Sequence, residues 1–409
     1  MTKTHDILVL GAGPAGSALA SHLAMRGFDV AIADKKAFPR SKPCGEFLSP
    51  ECRPYLRELG VDDALLQKGT RKVHGMQLCT GDRRARGRFR GLSSAPYNDA
   101  GYAVRREVLD LELLRAATAR PEVSFLERHE FKSLLRDESG GIRGAVLRDP
   151  DGTDREVLAR TTIGADGVHS RVARDLGVQR QIRWLDRLAL VARFDGVLPA
   201  AEAEVHFVDN AYFAATTVDD GSFHLNLLVD RSTLAGRSGN VDAFVAKHLE
   251  QAPMLKQRLV TATRRGPWKG IGPLAFRTTK QTFRGAALVG DACGYVDPLT
   301  GEGIYFALHG ARSLATALEV ARQDPARAAA AMHGYEQERR AEVLPRLRLA
   351  ALLQRGIRHP FLVRSCLSAL SAWPRLCDLL VNMTGDAMHP RDLLSPAFWR
   401  QWRQAGATT

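Results

Sequence analysis

The stretch DILVLGAGPAGSALASHLAMRGFDVAIADK, residues 6–35, decides the fold. The apolar run after Asp6 suits a buried parallel strand, the following alanine-rich segment suits a helix that stops near Gly27, and VAIAD suits a second strand. Gly11, Gly13 and Gly16, with Ala12, Pro14 and Ala15 between them, form GxGxxG at the strand-to-helix junction. The first glycine allows the turn, the second lets a backbone approach a pyrophosphate, and the third lets helix and strand pack closely. Free amides at the helix start then face the phosphates. Asp34 ends the second strand 18 residues after Gly16, beside Lys35, where a carboxylate can accept hydrogen bonds from a ribose. The pattern as a whole predicts a dinucleotide site, which NAD and FAD would fill equally well.

At 409 residues the chain fits two domains, or one with a sizeable insertion. Hydrophobic content of 45% and charged content of 25% are ordinary for a globular protein. The net charge of +13 invites a nucleic-acid reading, but 47 of the 58 basic residues are arginines spread over nearly the whole length. The densest cluster, RRARGRFR at 83–90, alternates as a solvent-facing strand does. No nucleic-acid motif accompanies it, so no nucleic-acid partner is expected. Cys44, Cys52, Cys79, Cys293, Cys366 and Cys377 contain no CxxC pair and no metal spacing, so no metal is expected. The N-terminus lacks the pattern of a signal peptide and no apolar run is long enough to span a bilayer, which predicts a cytoplasmic protein.

Later segments return to the first domain. YAVRREVLDLELLRAATAR, 102–120, opens an amphipathic helix with an arginine pair; VSFLERHEF and GIRGAVLRDPDGTDREVLARTTIGADG read as an antiparallel meander. GADGVHSRVARDLG, 164–177, and AALVGDACG, 286–294, each end a strand at a Gly/Asp turn before a helix. In GDACGYVDPLTGEGIYFALHGA, 290–311, the glycines exceed what a turn needs, and they leave backbone amides open to a ligand.

GxGxxG, GADGVHSRVAR and GDACGYVDPLTGEGI, in this order and spacing, resemble the three signatures of FAD-dependent oxidoreductases of the para-hydroxybenzoate hydroxylase and geranylgeranyl reductase superfamily. The resemblance covers roughly residues 1–330 and implies non-covalent FAD with NAD(P)H as electron donor. It places Gly290 and Asp291 near the ribityl and pyrophosphate groups, and Pro298, Gly301, Glu302, Gly303 and Ile304 against the flavin ring. It puts Arg105 on the FAD phosphates or adenosine side, with Arg106 as substitute, and Asp166 between flavin and nicotinamide. Asp166 and Ser170 also read as simple helix caps. In FPRSKPCGEFLSPE, 38–51, PCGE together with the later PLTGEGI is closest to the geranylgeranyl reductase branch, which implies that Cys44 and Gly45 lie near the flavin. That branch also contains halogenases and monooxygenases of secondary metabolism.

Departures narrow the chemistry. The Tyr-x-Trp-x-Phe-Pro stretch of the reductase branch has no counterpart in VHFVDNAYFAATTVDDGSFHLNLLVD, 205–230, which argues against prenyl reduction. No Trp-x-Trp occurs at Trp184, Trp268, Trp373, Trp399 or Trp402, which argues against halogenation. The 205–230 region reads as three antiparallel strands over the flavin, with His206, Tyr212, His224 and Asn226 as polar residues on the face toward the substrate. Cys44, His206, Tyr212 and His224 are therefore the candidates for catalysis; each also reads as an ordinary packed or hydrogen-bonded residue.

The expected fold is α/β, with a Rossmann-like FAD/NAD(P)-binding domain from 1–75, 100–175 and 275–330. An antiparallel substrate sheet from 76–99 and 176–274 is inserted in it, and 331–409 forms a helical cap broken at Pro345, Pro360 and Pro374. The expected activity is NAD(P)H-dependent hydroxylation of a hydrophobic aromatic or polyketide-type substrate. The alternatives are reduction of prenyl C=C bonds and a flavoprotein without turnover. The substrate would arrive free, on a carrier or from a membrane surface that the cap touches.

Overall fold

The structure is a computed structural model that describes residues 3–90, 99–234, 240–385 and 388–404. Residues 91–98, the tail of the expected 76–99 segment, lie outside the described residues. Strand Thr4–Leu10 runs parallel to Val30–Asp34 on one side and to Asp154–Gly164 on the other. Val123–Glu127 and Ala286–Leu288 extend this parallel set at its two edges. Covered on both faces, the strands need no polar alternation, and Leu8, Val9, Val30, Ala31 and Ile32 are wholly buried. Helices Pro14–Ala24, Arg106–Thr118 and Gly303–Gln323 cover one face through Leu19, Leu23, Leu109, Leu113, Leu308 and Leu314. The expected meander is present: Glu130–Arg136 pairs antiparallel with Ile142–Arg148, which pairs antiparallel with Asp154–Gly164, and the two bury Leu134 and Leu147 against the other face.

A second sheet of seven strands stands above the first, in the order Thr263–Ile271, Arg187–Asp195, Phe223–Asp230, Ala211–Thr217, Ala203–Val208, Gly75–Thr80, Arg83–Arg88. All its pairs are antiparallel except Ala203–Val208 with Gly75–Thr80. Period-two alternation divides it cleanly. Phe213, Phe223, Leu225, Leu227 and Val229 pack under helices Val241–Leu249 and Pro253–Arg258, whereas Ala189, Val191, Val205 and Leu228 face the parallel sheet.

The C-terminal region is helical, but not divided as its prolines suggest. Ala328–Ile357 is one helix that passes through Pro345, while the chain does break before Pro360 and before Pro374. A mid-helix proline removes one backbone hydrogen bond. Here tertiary contacts around Pro345 hold the turns on each side: Tyr305 donates to Glu342 at 2.7 Å, and Arg346 pairs with Glu342 and Glu302. The two following helices cover the inner face of the basic strand Arg83–Arg88, where Ala85 and Gly87 alternate with exposed arginines. A Cβ on Gly87 would lie 2.5 Å from Val381 Cγ2, so only glycine lets helix Pro374–Thr384 come this close.

Candidate active site

A cavity of about 440 Å³ opens between the two sheets. Its floor is the junction the opening stretch predicts. Gly11, Gly13, Pro14, Ala15, Asp34 and Lys35 line it. Asp34 is set in place by the backbone, accepting from Ala12 N–H at 3.0 Å and from Lys36 N–H at 2.9 Å. Gly16 and Ala12 shape the floor from behind: a Cβ on Gly16 would sit 1.8 Å from the Gly11 carbonyl oxygen, so strand and helix touch there backbone to backbone. Gly290 acts likewise behind Ala15. Asp291, Pro298, Gly301, Gly303 and Ile304 reach the cavity from the far end of the sheet. Gly301 has φ +72, and a Cβ there would lie 2.6 Å from the Phe47 ring. Helix Gly303–Gln323 thus points its N-terminus at the cavity, where free amides and the helix dipole favour an anion. Glu302 differs from expectation: its carboxylate turns away to Thr300, at 2.6 Å, and to Arg346.

The arginine pair corrects the sequence reading. Arg105 does not reach the cavity; its guanidinium leaves the site to pair with Asp219 at 2.9 Å and Asp220 at 3.4 Å. Arg106 is the one that lines it, held by two 2.8 Å hydrogen bonds to the buried Asp110 one helical turn on. That i,i+4 spacing was the available signal, because only a residue on the buried stripe of this helix can face the ligand. Arg40, paired with Asp110 and Asp34, and Lys42 join Arg106, and sequence reasoning missed both. Burial and the Arg106 charge push the Lys42 ammonium below its ordinary range, while Asp291 opposes them. Burial pushes the Asp291 carboxyl up, against Lys42 and Arg106. Asp166 caps the next helix, one carboxylate oxygen accepting from Arg171 N–H and Val172 N–H, and the residue also lines the cavity. Arg40, Lys42 and Arg106, the Asp34 carboxylate and a glycine-walled floor fit a group that is anionic in its middle and hydroxylated beside it, as FAD is.

The opposite wall is apolar, with Met76, Ala189, Val191, Ala203, Val205, Leu228, Ile271 and Leu274 around Thr216 and Asn226. His206 is not on it. His206 stands opposite Phe213 in the ladder and therefore faces the other side of the sheet, where it bonds Glu204 at 3.0 Å and burial lowers its pKa to about 4. Tyr212 and His224 share the cavity-side face, as strand pairing with Leu228 and Thr216 requires, yet neither opens into the cavity. His224 Nε2 donates to the Cys44 carbonyl at 2.5 Å and its Nδ1 lies 3.1 Å from Glu46. Together they hold the loop that lays Cys44 and Gly45 along the cavity. Tyr212 donates to Asp297 at 2.5 Å, and the same carboxylate oxygen accepts from Gln354 at 2.6 Å and from Leu299 N–H at 2.9 Å.

Two outcomes follow. Lys42→Met and Arg106→Met weaken FAD binding about tenfold each, as the loss of a charge-assisted contact implies, whereas Arg105→Ala leaves it nearly intact; flavin fluorescence titration of the apoprotein measures all three. Burial raises the Asp297 pKa from 3.8 to about 6. The folded state then holds this proton more tightly than the unfolded state, so its contribution is fully present below pH 3.8 and is lost as pH rises through about 6. Asp297→Asn removes that slope, on the order of 3 kcal/mol, from urea-derived stability measured across this range.

A sequence-family profile described as "FAD binding domain" matches residues 4–345. Conditioned medium factor receptor 1 of Dictyostelium discoideum is 30% identical over 336 residues, 77% of this chain and 63% of that protein. Flavin-dependent halogenase armH1 of Armillaria mellea is 27% identical over 337 residues, 76% of this chain and 64% of that one. The chain thus spans under two thirds of the length of these two relatives. Digeranylgeranylglycerophospholipid reductase 1 of Methanothermobacter thermautotrophicus is 29% identical over 319 residues, 76% of each chain. Among solved structures, the myxobacterial chondrochloren halogenase CndH shares the fold with a TM-score of 0.81 at 23% identity, covering 97% of this chain and 92% of that one. The profile match over residues 4–345 establishes that this chain belongs to the FAD-binding-domain family, and the glycine-floored, cation-lined cavity agrees with it.

Proposed function

We propose that the protein is an NAD(P)H-dependent monooxygenase that hydroxylates a hydrophobic aromatic substrate such as an alkyl-phenol. The observation that carries this reading is the chemistry of the cavity wall above the flavin site. Alanine, valine and leucine side chains exclude water, and Asn226 and Thr216 offer an amide and a hydroxyl suited to orienting a phenolic oxygen. Glu204, beside this wall, turns its carboxylate to the far side of the sheet, where it bonds His206 and pairs with Arg258. This apolar wall suits hydroxylation, in which the protein has to position and dry the substrate. Alkene reduction would in addition need a proton donor, for which Asp291 and Tyr295 line the same cavity. Reduced FAD supplies the activation of dioxygen. The amides at the start of helix Gly303–Gln323 would stabilise negative charge on a ring bound at that end of the cavity.

Reduction of a prenyl C=C bond is the second reading, favoured by the likeness to the digeranylgeranylglycerophospholipid reductase. Halogenation rests on the likeness to armH1, against the missing Trp-x-Trp element. The three differ in atom balance. Hydroxylation consumes one NAD(P)H, one dioxygen and one proton per substrate, placing one oxygen atom in the product and the other in water. Purified holoprotein incubated with NADPH, alkyl-phenols and isotopically labelled dioxygen gives a product carrying one labelled oxygen atom, read by mass spectrometry. Anaerobic saturation of a prenyl alkene, or a product whose mass depends on added chloride or bromide, would sink the proposal.

A further inference from the structure

We infer that the outer face of helix Pro360–Ala372, continuing to Trp373 and Leu376, docks on an anionic lipid bilayer. The inference is independent of which reaction the site performs. The helix buries Leu367 and Leu370 against the seven-stranded sheet, so its opposite side looks outward. That outer side carries Phe361, 79% exposed, and Leu362, with Ser365 and Ala372 at helical spacing; Trp373, 64% exposed, and Leu376 follow. Residues 360–373 contain a single charge, Arg364, although much of the segment is exposed. A solvated helix face ordinarily carries several charges, so this one is suited to an apolar neighbour.

Along this stretch of the chain the charges are of one sign. From 343 to 377 the chain has six arginines and no aspartate or glutamate; Arg346 is buried against Glu302 and Glu342 and Arg358 pairs with Asp230, while Arg348, Arg355, Arg364 and Arg375 are exposed. Beside the helix runs the basic strand Arg83–Arg88, whose Arg83 donates to Ser368 at 2.5 Å, while Arg84, Arg86 and Arg88 are exposed on the strand's other face. The first acid beyond the stretch, Asp378, is buried and committed to Arg88 N–H at 2.8 Å and Arg90 at 2.7 Å. Asp209 and Glu250 are near the helix start but line the cleft that Val363 and Arg364 share with the sheet.

Exposed aromatic and aliphatic side chains among arginines match the interface of an anionic bilayer. There apolar groups enter the headgroup boundary and the arginines meet lipid phosphates. Among the described residues no helix is long and apolar enough to cross a membrane, so the contact is peripheral. A nucleic acid would use the arginines but leave Phe361, Leu362 and Trp373 without a role, and an apolar protein partner would not account for the excluded acids.

The test is sedimentation of the holoprotein with vesicles of phosphatidylcholine alone or mixed with phosphatidylglycerol, at low and high salt. Wild type pellets with the phosphatidylglycerol vesicles at low salt, less at high salt, and little with phosphatidylcholine alone. The double variant Phe361→Ser with Trp373→Ser loses about tenfold or more in vesicle affinity while keeping its flavin absorbance and thermal melt. Wild type remaining in the supernatant would overturn the inference, as would a variant that pellets equally well. So would a wild-type dimer in gel filtration that the variant abolishes, which would assign the face to a second copy, or salt-sensitive DNA binding of equal strength in wild type and variant.

Discussion

Everything in this molecule depends on one backbone contact, Gly16 against the carbonyl of Gly11. A Cβ at Gly16 would lie 1.8 Å from that oxygen, so the helix can stand on the strand end only if residue 16 has no side chain. The contact aims the helix amides into the cavity and keeps Ala12 N–H within 3.0 Å of Asp34. The remaining glycines serve the same end from the other side, where Gly290 and Gly301 thin the backbone beneath the start of helix Gly303–Gln323. Two helix N-termini and three cations then surround one space, an arrangement that suits a doubly charged pyrophosphate next to a ring able to carry negative charge.

The second layer of control is polar and buried. Asp297 lets three parts of the chain meet at one oxygen: Tyr212 from the substrate sheet, Leu299 from the flavin loop and Gln354 from the long C-terminal helix. Glu46 does similar work for the loop that carries Cys44. It adopts φ +55, unusual for a residue with a side chain, and takes Arg193 at 2.5 Å as well as His224. The histidine and tyrosine that looked like reaction groups are thus posts that hold the cavity open at fixed dimensions.

The parallel sheet, its glycine junction and the flavin-side segments were legible because each needs a particular residue type at fixed spacing. A Gly at 16 or an Asp at 34 leaves a mark that no partner elsewhere can imitate. Arg105 and Arg106 were harder to tell apart, since adjacent residues differ only in which side of a helix they occupy, and the deciding partner, Asp110, lies four positions on. His206 was misassigned because alternation gives faces only once the register is known. The DN turn offsets the strands so that Phe207, rather than His206, pairs with Tyr212. Pro345 misled for a different reason: its helix is held by Tyr305 and Glu302, distant in sequence, and local propensity contains no trace of them.

The central claim is that the apolar wall and the flavin site form a single space, so that a hydrophobic phenol bound there touches the ring. Titrating the oxidised holoprotein with an alkyl-phenol while recording the flavin absorption band tests this without turnover. The account predicts a saturable shift of the band that matches the phenol's calorimetric affinity and weakens when Asn226 is replaced by leucine. Calorimetric binding of the phenol with an unperturbed flavin spectrum would contradict it, because the substrate would then lie elsewhere.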